Sequence, residues 1–391
     1  MKSKRVESID LLRGIIMVIM ALDHTRDFFH NQAFAGDPLD PATTTPILYA
    51  TRWITHFCAP LFVFLAGTSA WFQSRRKTTK ELSNFLITRG IWLILIDAVV
   101  MTLITTANIH FDVIIIQVLW SIGISMVILG LVIWLPFYAI LSLGLLIVLG
   151  HNLLDYAEAG RTSFPFWWHL IHVQGFFQLS ESVGLFVFYP FLPWTGLMLL
   201  GYCFGSIFTT YDEKTRSRKL LWSGIGLIGL FFVLRSTSFY GDAQTWKKWD
   251  SISQTIMDFM DVRKYPPSLL YMCATIGPGM IFLSLVKTVK GRVSNFFLVF
   301  GRVPMFYYIL HFFLLSTTNI ILFLLRGHTV EEGMKGAPGM PFKFIIPNEG
   351  YDLLTVYLMW MGLVIFILYP ICRWYDKYKS AHPEKKWLSY L

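Results

Sequence analysis

Apolar runs of about twenty residues recur along the chain, each too long for a strand of a membrane barrel. In hydrocarbon no water is available to the backbone amides, so such runs must close their hydrogen bonds internally, as helices. The fold class they imply is all-α: a polytopic membrane protein of about ten transmembrane helices. The expected spans are residues 9–29, 50–73, 85–106, 113–133, 136–153, 183–208, 219–238, 267–287, 295–325 and 351–373. Hydrophobic residues make up 55% of the 391 and charged residues 15%, a balance that argues against most water-soluble folds of this length. No internal repeat or linker divides the chain, so residues 1–391 read as a single transmembrane domain.

The excess of positive charge sits in short clusters between the runs. These are Lys2, Lys4 and Arg5, then "SRRKTTK" after the second run, "EKTRSRK" after the sixth, "VKTVKGR" after the eighth, and "RWYDKYK" in the tail. Threading ten spans puts every cluster on one side, which makes both termini cytoplasmic and argues against nucleic acid as a partner. Cys58, Cys203, Cys273 and Cys372 have neither metal-ligand nor paired spacing, so no disulfide framework and no metal site is expected. The basic N-terminus resembles a signal peptide, but Arg13 interrupts the apolar run and no small-residue cleavage site follows; an uncleaved first span is expected. Residues 154–182, 239–266 and 326–350 form long outward connections rich in aromatic and polar residues, such as "SFPFWWHLIHVQGFFQ". They suit either an interfacial aromatic belt or a lid that stacks on sugars.

The first run carries Arg13, Asp23, His24, Arg26 and Asp27. Ionisable groups at that depth face a protein interior or a wet cavity and mark function by default. At 100° per residue, the eleven positions from Arg13 to His24 return to within about 20° of one face and span roughly 16 Å. Asp10 and Asp27 fall near the same stripe and Arg26 falls on the far side, where it would snorkel outward. Asp27, three residues from His24, could fix the tautomer of the imidazole and support it as a general base. The second run brings Arg52 and His56, four apart, to a comparable depth, followed by small residues that allow close approach. In the ninth, Arg302 lies at the cytoplasmic rim and His311 near the middle, where a lone histidine is as often packing as function. Asp112, Gln117, Trp120, Tyr189 and Trp194 are weaker outward candidates, and Arg263, Lys264 and Tyr265 read first as rim anchors.

A wet outer cavity with histidines, above a basic face toward the cytoplasm, suits acyl transfer from coenzyme A. Arg13, Asp10 and Arg302 would hold the donor, whose slim pantetheine arm matches the Arg13–His24 rise. The stretches "SIDLLRGIIMVIMALDHTRDFF", "RWITHFCAPLFVFLAGTSA", "YPFLPWTGLMLLGY", "KYPPSLLY" and "GRVPMFYYILH" resemble the bacterial branch of the heparan-α-glucosaminide N-acetyltransferase family, within the transmembrane acyltransferase superfamily. The Arg13 and His24 spacing is also similar to the Arg-x10-His pattern of membrane O-acyltransferases. The resemblance implies acetyl-CoA as a cytoplasmic co-substrate and a sugar amine or hydroxyl as the acceptor on the other side. It also implies a bacterial inner-membrane location, with membrane lipid as solvent; a homodimer is left open. The lysosomal relative carries its active histidine in the connection after the first span, where this chain has only His30 at a different offset.

On this reading His24, oriented by Asp27, deprotonates the acceptor, while His56, Arg52 and His311 stabilise the oxyanion or position the acceptor. An acyl-histidine relay is the variant. A proton-coupled secondary transporter of a sugar or organic anion is the rival from another class, and a non-catalytic scaffold is the third.

Overall fold

The computed structural model describes residues 6–286, 289–336 and 342–389; Lys2, Lys4, Arg5 and Lys287 of the basic clusters lie outside the described residues. Helix α1 (Glu7–Phe29) leads by a connection to α2 (Pro46–Ile54), which the Thr45 side chain caps and Pro46 initiates. A 3₁₀ turn at Thr55–Phe57 then joins α2 to α3 (Cys58–Ser74). Pro60 accounts for that break, since it lacks the N–H that would bond to the carbonyl of His56 four residues back. The Tyr271 hydroxyl donates to that carbonyl instead, at 2.9 Å.

Helix α4 (Thr79–Leu95) starts in a capping box between Thr78 and Glu81 and continues through a π-helical turn, Ile96–Met101, into α5 (Thr102–Thr106). Next come α6 (Val118–Val132), α7 (Phe137–Gly150), α8 (Leu153–Glu158), α9 (Phe166–Ile171), α10 (Phe191–Phe204) and α11 (Ile207–Thr210). Asp212 caps the long α12 (Glu213–Thr237), and α13 (Ile252–Met260) and α14 (Leu269–Leu285) follow. The expected ninth span is two helices, α15 (Arg292–Arg302) and α16 (Pro304–Leu325), because Pro304 cannot continue a helix begun before it. After α17 (Val330–Lys335), α18 (Leu353–Gly362) passes through a second π-helical turn into α19 (Tyr369–Ala381).

Six helical stretches among the described residues are long and apolar enough to cross a membrane: 46–74, 79–106, 191–210, 213–237, 304–325 and 353–381. Shorter apolar helices are α6, α7 and α14. Helix α1 has the length, but its charges set it apart, and its place in the bundle explains how they are tolerated. It packs against α3, α14, α15, α16 and α18, so protein rather than lipid surrounds it. Gly14 of α1 and Gly301 of α15 meet backbone to backbone: a Cβ on Gly14 would overlap the Phe297 carbonyl oxygen, and one on Gly301 the carbonyl of Asp10. This close approach brings Arg13 and Arg302 to the same end of the bundle.

One part of the all-α expectation is corrected. The beginnings of the expected fourth and sixth spans are strands, β1 (Val113–Ile116) and, after β2 (Gly175–Gln178), β3 (Gly184–Val187). The β-branched "VIII" of β1 favours extended backbone and pairs in parallel with β3, which pairs antiparallel with β2. That register carries Gln117 and Phe188, the residues just after β1 and β3, forward side by side; Phe188 N donates to Ile116 O at 3.0 Å.

Candidate functional site

Two cavities open along α1. The histidine cavity, about 670 Å³, is lined by Asp23, His24, Arg26 and Asp27 from α1, by Arg52 and His56, and by Gln117. The arginine cavity, about 310 Å³, is lined by Arg13, Arg89, Arg302 and Lys379 among apolar residues that include Met17, Phe62 and Ala66. The same elements serve both. From α16, Tyr308 faces the arginine cavity and Phe312, one turn on, faces the histidine cavity; at the start of α6, Gln117 faces the second while Val118 and Leu119 face the first.

Behind the wall of the histidine cavity, His24 Nδ1 lies 2.7 Å from His311 Nε2, and His311 Nδ1 lies 3.0 Å from the Tyr307 carbonyl oxygen. A carbonyl only accepts, so His311 carries its proton on Nδ1 and its Nε2 accepts from His24 Nδ1–H. The chain of donors leaves the lone pair of neutral His24 on Nε2, the form a general base requires. The pair also stacks, with ring centroids 5.1 Å apart, and His311 is fully buried. His311, read from sequence as a lone histidine, is therefore the partner of His24.

Asp27, expected to orient His24, instead accepts from Arg26 Nη2 at 2.6 Å. Arg26 does not snorkel outward. It is 5% exposed and also bonds Asp23 at 3.1 Å, because the far side of α1 faces protein. The other oxygen of Asp23 takes Arg52 Nη1 at 2.6 Å, and Arg52 Nη1 also reaches Thr55 Oγ1 at 3.1 Å. Two arginines and two aspartates thus balance in a largely buried network along the cavity wall. His56, 1% exposed, lines the cavity with both ring nitrogens lacking a hydrogen-bond partner among the described residues.

At the other end, Arg13 Nη1 bonds Asp10 Oδ1 at 3.1 Å and Arg13 Nη2 bonds Ser69 Oγ at 3.0 Å. Asp10, 4% exposed, steadies Arg13 rather than lining the arginine cavity. Arg302 pairs with Asp376 at 3.5 Å. Arg89 and Lys379 were not legible as site residues, since each lies in a different basic cluster or run and only the packing brings them together.

The long connections roof the histidine cavity. Phe34 stacks on Phe342, Phe188 packs against Tyr265, and Gln174, Tyr189, Arg263 and Lys264 complete that wall. Arg263 and Lys264, first read as rim anchors, are thus cavity residues. Trp194 is fully buried against Tyr189, and Asp112 is tied to Asn108. The aromatic segment at 163–178 is held to the body by Glu158, which accepts from Trp168 Nε1 and faces His172 Nδ1, each at 2.7 Å. Asp261, in the roof, accepts from Gln244 Nε2 at 2.8 Å, and burial pushes its carboxyl from 3.8 up to about 6. Between those values the folded protein binds the extra proton, so stability contributed here rises as pH falls from about 6 toward 3.8. Asp261→Asn should flatten that part of the melting temperature against pH, measured in detergent; an unchanged slope would refute the assignment.

The family model described as heparan-alpha-glucosaminide N-acetyltransferase, catalytic, matches residues 5–241. No curated protein matches the chain. The matched stretch carries Arg13, His24, Arg52, His56 and Gln117, whereas Arg302 and His311 lie beyond it.

Proposed function

Because the chain belongs to the heparan-α-glucosaminide N-acetyltransferase catalytic family, we propose that it moves an acetyl group from cytoplasmic acetyl-CoA to a sugar amine or hydroxyl on the far side of the membrane. In this proposal the chain crosses ten times as a single domain with both termini cytoplasmic, and the arginine cavity lies on the donor side. There Arg13 and Arg302, with Arg89 and Lys379, bind the phosphates of the donor, and the pantetheine arm extends along α1 toward His24. The acceptor enters the histidine cavity, where aromatic residues of the roof face its sugar ring and Arg52 supplies positive potential.

The acceptor nitrogen or oxygen attacks the thioester carbonyl carbon as His24 Nε2 takes its proton. The tetrahedral intermediate collapses with cleavage of the C–S bond, and the imidazolium returns the proton to the coenzyme A thiolate. His311 keeps His24 in the required tautomer throughout. His56, with its ring nitrogens unclaimed, positions the acceptor or, in the relay variant, carries the acetyl group itself. The observation that carries this reading is the pair of cavities along α1, one lined by Arg13, Arg89, Arg302 and Lys379 and the other by His24, which His311 backs from behind.

The test is transfer in proteoliposomes. Labelled acetyl-CoA supplied on one side and an amino sugar on the other should yield acetylated sugar. Arg13→Gln combined with Arg302→Gln should raise the KM for acetyl-CoA by about 10- to 100-fold, as expected for loss of charge-assisted phosphate contacts. Sugar flux driven by a pH gradient, with no requirement for coenzyme A, would refute the proposal in favour of a secondary transporter.

A further inference from the structure

We propose that Gln117 is a catalytic residue whose side-chain amide donates to the thioester carbonyl oxygen as acyl transfer charges it. The inference rests on the acetyl-transfer reading above. Gln117 sits where the two cavities meet: it lines the histidine cavity, and the next two residues, Val118 and Leu119, line the arginine cavity. On the proposed route, a thioester reaching from one to the other presents its carbonyl beside this position.

Gln117 is 8% exposed, yet its Nε2 has no hydrogen-bond partner among the described residues. A buried amide donor is costly to leave unpaired, so an acceptor supplied by a ligand accounts for it. The backbone beneath is pinned. Gln117 N donates to Asp97 Oδ2 at 2.6 Å, Trp120 N donates to the same oxygen at 2.8 Å, and the preceding Ile116 is paired with Val187 in the sheet. Asp97 is itself fully buried, on the π-helical turn that follows α4. A donor whose backbone is fixed by a strand end, a helix N-terminus and a buried carboxylate needs little reorganisation when charge develops in front of it.

Three neighbouring side chains already hold partners, while His56, whose ring nitrogens are also unpartnered, is assigned to the acceptor. Arg26 bridges Asp23 and Asp27, Arg52 Nη1 holds Asp23, and His24 Nδ1 faces His311. In the proposed step the acceptor lone pair forms the new bond to the carbonyl carbon and the C=O pair moves onto oxygen, where Gln117 N–H stabilises it. That pair then re-forms the carbonyl as the C–S bond breaks, and His24 returns the proton to sulfur.

Gln117→Leu removes the donor and leaves the backbone bond to Asp97 available. Its kcat should fall by about 10²- to 10³-fold, with the KM for acetyl-CoA raised by no more than about tenfold. Two inert thioethers of coenzyme A separate a catalytic contact from a structural one: acetonyl-CoA keeps a carbonyl near the reacting position, and ethyl-CoA has none. Gln117→Leu should weaken acetonyl-CoA by about tenfold, the worth of one hydrogen bond, and bind ethyl-CoA as the wild type does. Undiminished kcat, or equal weakening of both thioethers, overturns the assignment of Gln117 alone. Wild-type protein that transfers no acetyl group from coenzyme A overturns the underlying functional reading with it.

Discussion

Replacing His24 with alanine should cut acetyl transfer by about 10²- to 10⁴-fold, the usual share of a general base, while coenzyme A binding stays near the wild-type level. The separation follows from the geometry: His24 lines the histidine cavity, whereas the cations that would hold the donor phosphates line the other. The partner histidine sharpens the test. His311→Ala removes the acceptor for His24 Nδ1–H, so the imidazole loses its fixed tautomer and activity should fall with it. His311→Gln offers an amide oxygen in roughly the same place and should retain more activity than the alanine variant. Rates and coenzyme A affinity measured together on the three proteins decide the matter. Full activity in His24→Ala would exclude the base, and equal losses in both His311 variants would exclude tautomer control.

Asp23→Asn should destabilise the fold by about 3–5 kcal/mol, the cost of removing one member of a buried ion network. Its carboxylate is the only group bonded to both Arg26 and Arg52 among the described contacts, and its side chain is 9% exposed. The amide leaves two guanidinium groups facing each other with only Asp27 as counter-charge. Asp27 is 33% exposed and bonds Arg26 alone, so Asp27→Asn should cost clearly less. Adding Arg52→Gln to Asp23→Asn should recover part of the loss, because the unpaired charge goes with it. Thermal unfolding in detergent reads all three; additive losses in the double variant would show that the network is not the source of the stability.

Much of this protein can be read from its residues in order. Apolar runs, basic clusters and the small residues after His56 point to a helical membrane bundle with charges turned inward. The separation of Arg13 and His24 along α1, one toward each cavity, follows from helix geometry, which is a local property, whereas His56 and Arg302 reach those cavities through the packing of other elements. The breaks near Pro60 and Pro304 fall inside runs that read as single spans, and the strands at 113–116 and 184–187 are hidden in the same way inside apolar runs, which suit a strand and a helix equally well.

What the sequence determined by itself was the class of the fold and which ionisable side chains share a helix face, because hydrophobic pattern and helix geometry act over a few residues. The tertiary structure decided the partners: His311 rather than Asp27 for His24, Asp23 as the hinge of the arginine network, and Gln117 at the wall between cavities. Those choices join residues up to 287 positions apart. They depend on how whole helices rotate and approach, as at Gly14 and Gly301, and no local pattern records that rotation.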